Sequence, residues 1–427
     1  MARFALRGVA LALLVPLAAC AGPDADPQTG MESAAGVALR TVSPEAASAL
    51  PGVVAATRRL GTTMLADASP GTNVVTSPAS LAVALGMLAD GARGRTLTEL
   101  DAVLGASGQE RKDAFAALRG TLLHLDGDPA VVKADKLPDT PVVHLADQVV
   151  VDDGYPVEAD YLTALAEDFG AGTQHVDLGS AAGKRVLDAW VKHHTGGLID
   201  KSAIEPDPYL RVVLQDAVVL AARWTQPFPS EATTSRPFTL ADGTEVSVET
   251  MKATQSVAYA EVDGWQAVRL PYGDGQLYAD LVLPPSGVDP ASVTPDLLAK
   301  VAVALDRAAP VQVELTLPTL DLKPGAVELQ KVLAKAGVGH LWCETEPDLS
   351  GIGPQNLCVS QAMQRAVLAV DEEGTIAAAV TEIGVAGSSA PGAPDHKLHL
   401  DRPFLMEIAA AKTSWPLFLA AVRDPRH

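Results

Sequence analysis

Residues 371–387, Asp-Glu-Glu-Gly-Thr-Ile-Ala-Ala-Ala-Val-Thr-Glu-Ile-Gly-Val-Ala-Gly, have the types and spacing to be the substrate of chemistry rather than its agent. From Thr375 onward the side chains alternate, and one face carries Thr375, Ala377, Ala379, Thr381, Ile383 and Val385. That face has neither charge nor proline, so a sheet can bury it. Upstream, Asp371, Glu372, Glu373 and Gly374 form a polar hinge in which the glycine leaves φ free. Downstream, Gly387-Ser388-Ser389-Ala390-Pro391-Gly392 has the composition of an exposed, cleavable tip. A strand-forming segment that runs into such a tip is what a strand-insertion trap requires.

Agents of catalysis are missing by comparison. The chain has no Gly-x-Ser-x-Gly elbow, no Ser-x-x-Lys and no His-Glu-x-x-His, so an envelope hydrolase would lack a recognisable nucleophile and base. His193 and His194 are adjacent on an expected helix and point apart, and His396 and His399 fall on opposite faces of an expected strand. Cys343 and Cys358 lack the spacing of a zinc site. No cofactor or metal is implied.

The elements that must hold this segment can be read from capping and periodicity. Ser77 caps and Pro78 opens a helix over 78–89. Helices are expected at 96–104, 110–123, 156–169, 181–194, 294–307 and 324–336, and strands at 142–151 and 311–317. Residues 211–224 form a nearly continuous apolar run, as in a strand covered on both faces. Within it, Gln215-Asp216 demands polar partners. Residues 404–411 and 415–422 make a hairpin around Lys412-Thr413-Ser414. With 48% hydrophobic residues and no linker after residue 51, one large domain is expected.

Several motifs occur together in one order: Asn73-Val-Val-Thr-Ser77-Pro78-Ala-Ser80, Leu187-Asp-Ala-Trp190 through Thr195-Gly-Gly197, Trp224-Thr-Gln-Pro-Phe228, Asp348-Leu-Ser-Gly-Ile352, the hinge itself, and Arg402-Pro-Phe404. This series resembles the serpins, from about residue 52 to Pro425. The resemblance implies a mixed α/β serpin fold over 51–427, with a large, mostly antiparallel central sheet, further sheets, about eight or nine helices and a reactive loop at about 372–394.

It also implies a suicide mechanism, with no enzymatic activity of the chain's own. A serine protease would attack near Ser388 or Ser389, with Gly387 a further candidate, and form a covalent complex. The hinge, Glu372, Glu373, Gly374, Thr375, Ala377, Ala378 and Ala379, would then insert with the rest of the strand. Ser77, Ser80, Asp216, Gln364 and Trp224 would form the gate, Asp216 bonding Gln364 where many relatives carry Asn and His. The lysine that pairs with the first hinge glutamate in many relatives is absent here, where Pro318 is followed by Thr319, and Ile376 stands where Glu is common. Small, uncharged scissile candidates favour an elastase-like or subtilisin-like target. The alternative is a non-inhibitory serpin-fold module whose loop is only a substrate.

The amino terminus sets the expected location. Arg3, Arg7 and the apolar run from Val9 to Ala18 read as an export signal over 1–19, and Leu17-Ala-Ala-Cys20 resembles the bacterial lipobox. Lipid on Cys20 would hold the domain at a membrane outside the cytoplasm, on a flexible tether over 20–50; an ordinary signal with an incidental Cys is the alternative. The net charge of −20 disfavours nucleic acid, and a monomer is expected. Cys343 and Cys358 could pair in an exported protein, or remain as two buried thiols.

Overall fold

A computed structural model describes residues 37–69, 71–354, 357–375 and 393–426. In chain order its strands are β1 (Val74–Thr76), β2 (Val142–Asp152), β3 (Gly172–Val176), β4 (Val212–Arg223), β5 (Thr234–Thr239), β6 (Glu245–Val262), β7 (Trp265–Tyr272), β8 (Leu277–Leu283) and β9 (Val311–Pro318). The later strands are β10 (Leu320–Leu322), β11 (Val327–Glu328), β12 (Met363–Gln364), β13 (Leu368–Val370), β14 (Gly374–Thr375), β15 (His396–His399), β16 (Phe404–Ala410) and β17 (Trp415–Val422). The described residues also hold eight α-helices: α1 (Leu50–Asp67), α2 (Pro78–Gly91), α3 (Gly94–Leu104), α4 (Gly108–Gly120), α5 (Ala159–Phe169), α6 (Ala181–His194), α7 (Pro295–Arg307) and α8 (Leu329–Ala336).

Two sheets enclose most of the core. One is nine-stranded, ordered β1-β17-β16-β8-β7-β6-β9-β15 with β5 beside β6. The other is six-stranded, ordered β10-β13-β14-β4-β2-β3, and all its pairings are antiparallel except β2 with β3. This is the mixed α/β fold expected from the sequence, with a large, mostly antiparallel sheet, smaller ones and eight helices.

Local sequence accounts for the elements that meet the site. Ser77 accepts from the Ser80 amide and Pro78 needs no amide partner, so α2 starts there. Ten of its residues are buried and its one charged side chain, Asp90, is itself buried in ion pairs with Arg111 and Lys112, so α2 runs through the interior. The apolar β4 is sandwiched, with α6 on its outer face through Trp190 against Ala146 and Ala217. Helix α8 begins at Leu329 rather than at 324, because Lys323-Pro324-Gly325 delays the first turn. Residues 37–49, expected as the end of the tether, pack on the body: Arg40 donates to Glu167 O from its amide at 2.8 Å and binds Asp168 Oδ1 through Nη2 at 2.7 Å.

Among the described residues no helix is long and apolar enough to cross a membrane.

Candidate functional site: a hinge seated at the head of an open sheet

Strand β14 is the start of the site. It lies between β13 and β4, with Val370 paired to Thr375 on one side and Ala222 paired to Thr375 on the other. Below this rung β4 and the segment 359–369 are not paired to each other. They wall a cleft of about 330 Å³ whose floor includes Leu85, Leu88, Leu333 and Phe418. Among the described residues, one edge of β4, from Val212 to Ala221, therefore carries backbone groups without a strand partner.

A tight turn delivers the chain to the cleft. Asp371 Oδ1 accepts from the amides of Glu373 at 2.9 Å and Gly374 at 3.0 Å, and the Asp371 amide bonds Gly374 O. Burial pushes the Asp371 carboxyl above its ordinary range, against the pull of those two amides. The turn is docked by Trp224, whose amide binds Glu373 O at 2.8 Å and whose Nε1 binds Asp371 O at 3.0 Å. Trp224 stacks on Tyr272 at 4.4 Å, and Tyr272 OH bonds Thr375 Oγ1 at the base of the rung. Trp224, expected in the gate, thus bonds residues 371 and 373 at the top of β4 and is not among the residues lining the cleft.

Gly374 is needed for a reason other than a free φ. A Cβ there would stand 2.1 Å from Ala222 O, so the close approach of two backbones excludes any side chain. The hinge glutamates are held as well: Glu373 pairs with Arg223 at 3.2 Å, and Glu372 accepts from the Thr233 hydroxyl at 2.6 Å. That hydroxyl takes the place of the lysine absent at Thr319.

The four polar residues expected in the gate line the cleft, but not with the expected bond. Gln364 clasps the Ser77 backbone, with Oε1 accepting from N and Nε2 donating to O, both at 2.9 Å. Asp216 stands on the opposite wall, facing Asp147 across the β2–β4 pairing and close to the Ser80 hydroxyl. Asp216 and Gln364 are not bonded to each other, and the first turn of α2 satisfies Gln364 through the Ser77 backbone. Asp216 Oδ1 is sealed from solvent, although the residue as a whole is only partly covered, as befits a strand edge beside a cleft. Burial and the facing Asp147 push its carboxyl well above the ordinary range.

Asp147 and Tyr272 were not singled out from sequence. Asp147 had a signal: Asp147-Gln148 and Gln215-Asp216 interrupt two apolar runs in opposite order, as antiparallel partners should. They pair as Asp147 with Asp216 and Gln148 with Gln215, the latter bonded side chain to side chain at 2.6 Å. Tyr272 had none.

Cys343 and Cys358 are joined in a disulfide at the foot of the segment that forms the far wall. Cys20, Ala377, Ala378, Ala379, Gly387, Ser388 and Ser389 lie outside the described residues.

Comparison with known proteins decides what this arrangement is. A family model described as Serpin (serine protease inhibitor) matches residues 59–425. The chain belongs to the serpin family. It is 31% identical over 370 residues to Iripin-3 of Ixodes ricinus, covering 84% of this chain and 90% of that protein. The leukocyte elastase inhibitor of Bos taurus is 28% identical over 378 residues, with 84% and 95% covered. The native structure of the thermophilic serpin tengpin superposes with a TM-score of 0.74 at 21% identity, covering 91% of this chain and 96% of that one. Serpins are inhibitors rather than enzymes, which agrees with the lack of a catalytic constellation in the sequence, and serpin membership supports a protease-inhibitor mechanism in general terms.

Proposed function

We propose that this serpin inhibits a serine protease with a shallow, apolar specificity pocket by inserting its cleaved loop as a new strand between β4 and the segment 359–369. The observation that carries the reading is the seated rung of β14. Continuing both of its registers one for one brings Thr381 opposite Asp216 on one side and Gln364 on the other. The inserted face would then be Thr375, Ala377, Ala379, Thr381, Ile383 and Val385, and its single mid-strand hydroxyl would meet Asp216 and Gln364 on the two walls of a mostly apolar cleft. From Thr375 to Ala386 the strand spans roughly 40 Å at about 3.3 Å per residue. That length would carry a tethered protease across the sheet and distort its oxyanion hole, stalling deacylation.

The target class rests on the small, uncharged Gly387, Ser388 and Ser389, with Ile383 and Val385 for upstream subsites. A relative named for leukocyte elastase supports the same choice. Lipid on Cys20 would place the inhibitor at a membrane surface outside the cytoplasm, acting as a monomer with no cofactor. Labelled fatty acid carried by the wild type and not by Cys20→Ala would test the anchor.

The trap is tested by mixing residues 21–427 with pancreatic elastase and with subtilisin. An SDS- and heat-resistant band at the summed mass is expected, with the released carboxy-terminal peptide starting at Ser388, Ser389 or Ala390. Cleavage there by both enzymes without the band would favour the non-inhibitory module.

A further inference from the structure

Asp147 and Asp216 face each other across β2 and β4, and no second acidic pair of this kind lies in the described part of that sheet's pairing between the two strands. Asp147 is 6% exposed and Arg119 5% exposed, with Arg119 Nη1 2.7 Å from Asp147 Oδ2. A carboxylate oxygen can only accept, and both Asp147 oxygens and Asp216 Oδ1 are sealed from solvent without an aligned donor. One guanidinium cannot neutralise two adjoining carboxylates. A proton between them can, and it supplies the missing donor as well.

The charged groups that act on Asp216 are Asp147 from β2 and Arg119 from α4. Helix α2 adds the Ser80 hydroxyl, and the far wall adds Gln364, neither of which titrates in the physiological range.

We propose that Asp147 and Arg119 are positioning residues for strand insertion: Arg119 pairs with Asp147, and the two facing carboxyl groups of Asp147 and Asp216 hold one proton between them, so that the wall of the cleft is uncharged where the incoming strand must seal it. The role rests on the trap reading above. Before insertion the cleft is open and an ionised Asp216 would retain some solvation. Insertion closes the cleft and would strip that solvation away, so it favours the protonated pair. The direction agrees with the upward displacement of the Asp216 carboxyl.

The test has two arms on the protein of residues 21–427. In the first, infrared spectra of the intact chain are recorded against pH; a protonated-carboxyl stretch is expected at neutral pH that disappears at alkaline pH and is absent from Asp216→Asn. No such band at neutral pH would overturn the proposal, and the wild-type titration stands even if the variant fails to fold. In the second, the chain is cleaved in its loop and the rate of acquiring heat resistance is followed across the titration. The wild-type rate should fall by up to about tenfold per pH unit above it. Asp216→Asn should show no fall, and Asp147→Asn should move it to lower pH. The same pH profile in wild type and Asp216→Asn would overturn the positioning role. Heat resistance gained by none of the three would overturn the trap reading and this role together, while the infrared band would still report the shared proton, so the two failures are distinguishable.

Discussion

Tyr272 and Thr375 are bonded hydroxyl to hydroxyl beneath the hinge, with Tyr272 fully buried and Thr375 3% exposed. The bond ties the first rung of the loop strand to β7, a strand of the other sheet. Burial pushes the Tyr272 hydroxyl far above its ordinary titration range, so it remains a donor at all working pH. Tyr272→Phe leaves the Thr375 hydroxyl without that partner and should lower stability by about 1 kcal/mol. It should also loosen the rung, read as faster proteolysis near Asp371 with the protein still folded. Unchanged proteolysis and unchanged melting would show that the bond holds nothing.

Gly374→Ala sets a methyl against Ala222 O where 2.1 Å is available. The rung should leave the sheet, and with it the Trp224 amide bond to Glu373 O. Loss of the covalent protease complex by more than about tenfold is expected, with the loop still cleaved. Complex formation at the wild-type level would show that a pre-seated rung is not required.

In the inserted strand proposed above, Thr381 would be the residue at which both registers reach polar walls. Thr381→Arg would force a charge into the apolar cleft, a cost of several kcal/mol. The chain should then become a pure substrate, cleaved without gaining heat resistance. Thr381→Ser should retain trapping, which separates the hydroxyl from the methyl.

The Cys343–Cys358 disulfide closes a separation of 15 residues and ties the short 3₁₀ turn Cys343–Thr345 to the start of the far wall. By loop entropy it contributes about 3 kcal/mol. Cys343→Ser with Cys358→Ser should lower the denaturation midpoint accordingly, and the same drop should follow reduction of the wild type. Equal stability of oxidised and reduced protein would remove the bond from any structural role.

Asp280 lies across from Glu407 on β16 and is held by Arg269, which also stacks on Tyr278 at 3.6 Å. Burial raises its carboxyl to about 6, beyond what Arg269 recovers. A raised folded value means that the folded chain holds a proton the unfolded chain has released. Its stabilising contribution is complete below the unfolded value near 4 and is lost as pH rises through about 6. Relative to Asp280→Asn, the wild type should lose about 3 kcal/mol between pH 4 and pH 7. A pH-independent difference between the two would exclude this linkage.

The elements nearest the site were legible because their signals are local. The Ser77-Pro78 cap, the apolar run of β4 and the terminal hairpin each follow from a few adjacent residues. Helix α1 was not placed from sequence: its interior holds Gly61, Thr62 and Thr63, poor helix formers, and tertiary burial overrides that preference. At the site, residue types identified Asp216 and Gln364, but partner choice depends on whether the sheet is open or closed. Sequence carries the residues of both states and cannot say which is occupied. Asp147 was readable only by setting two strands side by side in opposite order, a comparison that needs the pairing first.

Under the proposed trap, the seated rung of β14 would change the kind of step that follows cleavage. Starting a new strand in a sheet is ordinarily a nucleation problem, since the first pair orders several residues for one or two bonds. Here Gly374 and Thr375 already satisfy both neighbours, so what remains is propagation, each further residue gaining bonds at the growing front. Under the proposed trap, strand growth would enter its race with acyl-enzyme hydrolysis from a rung already formed.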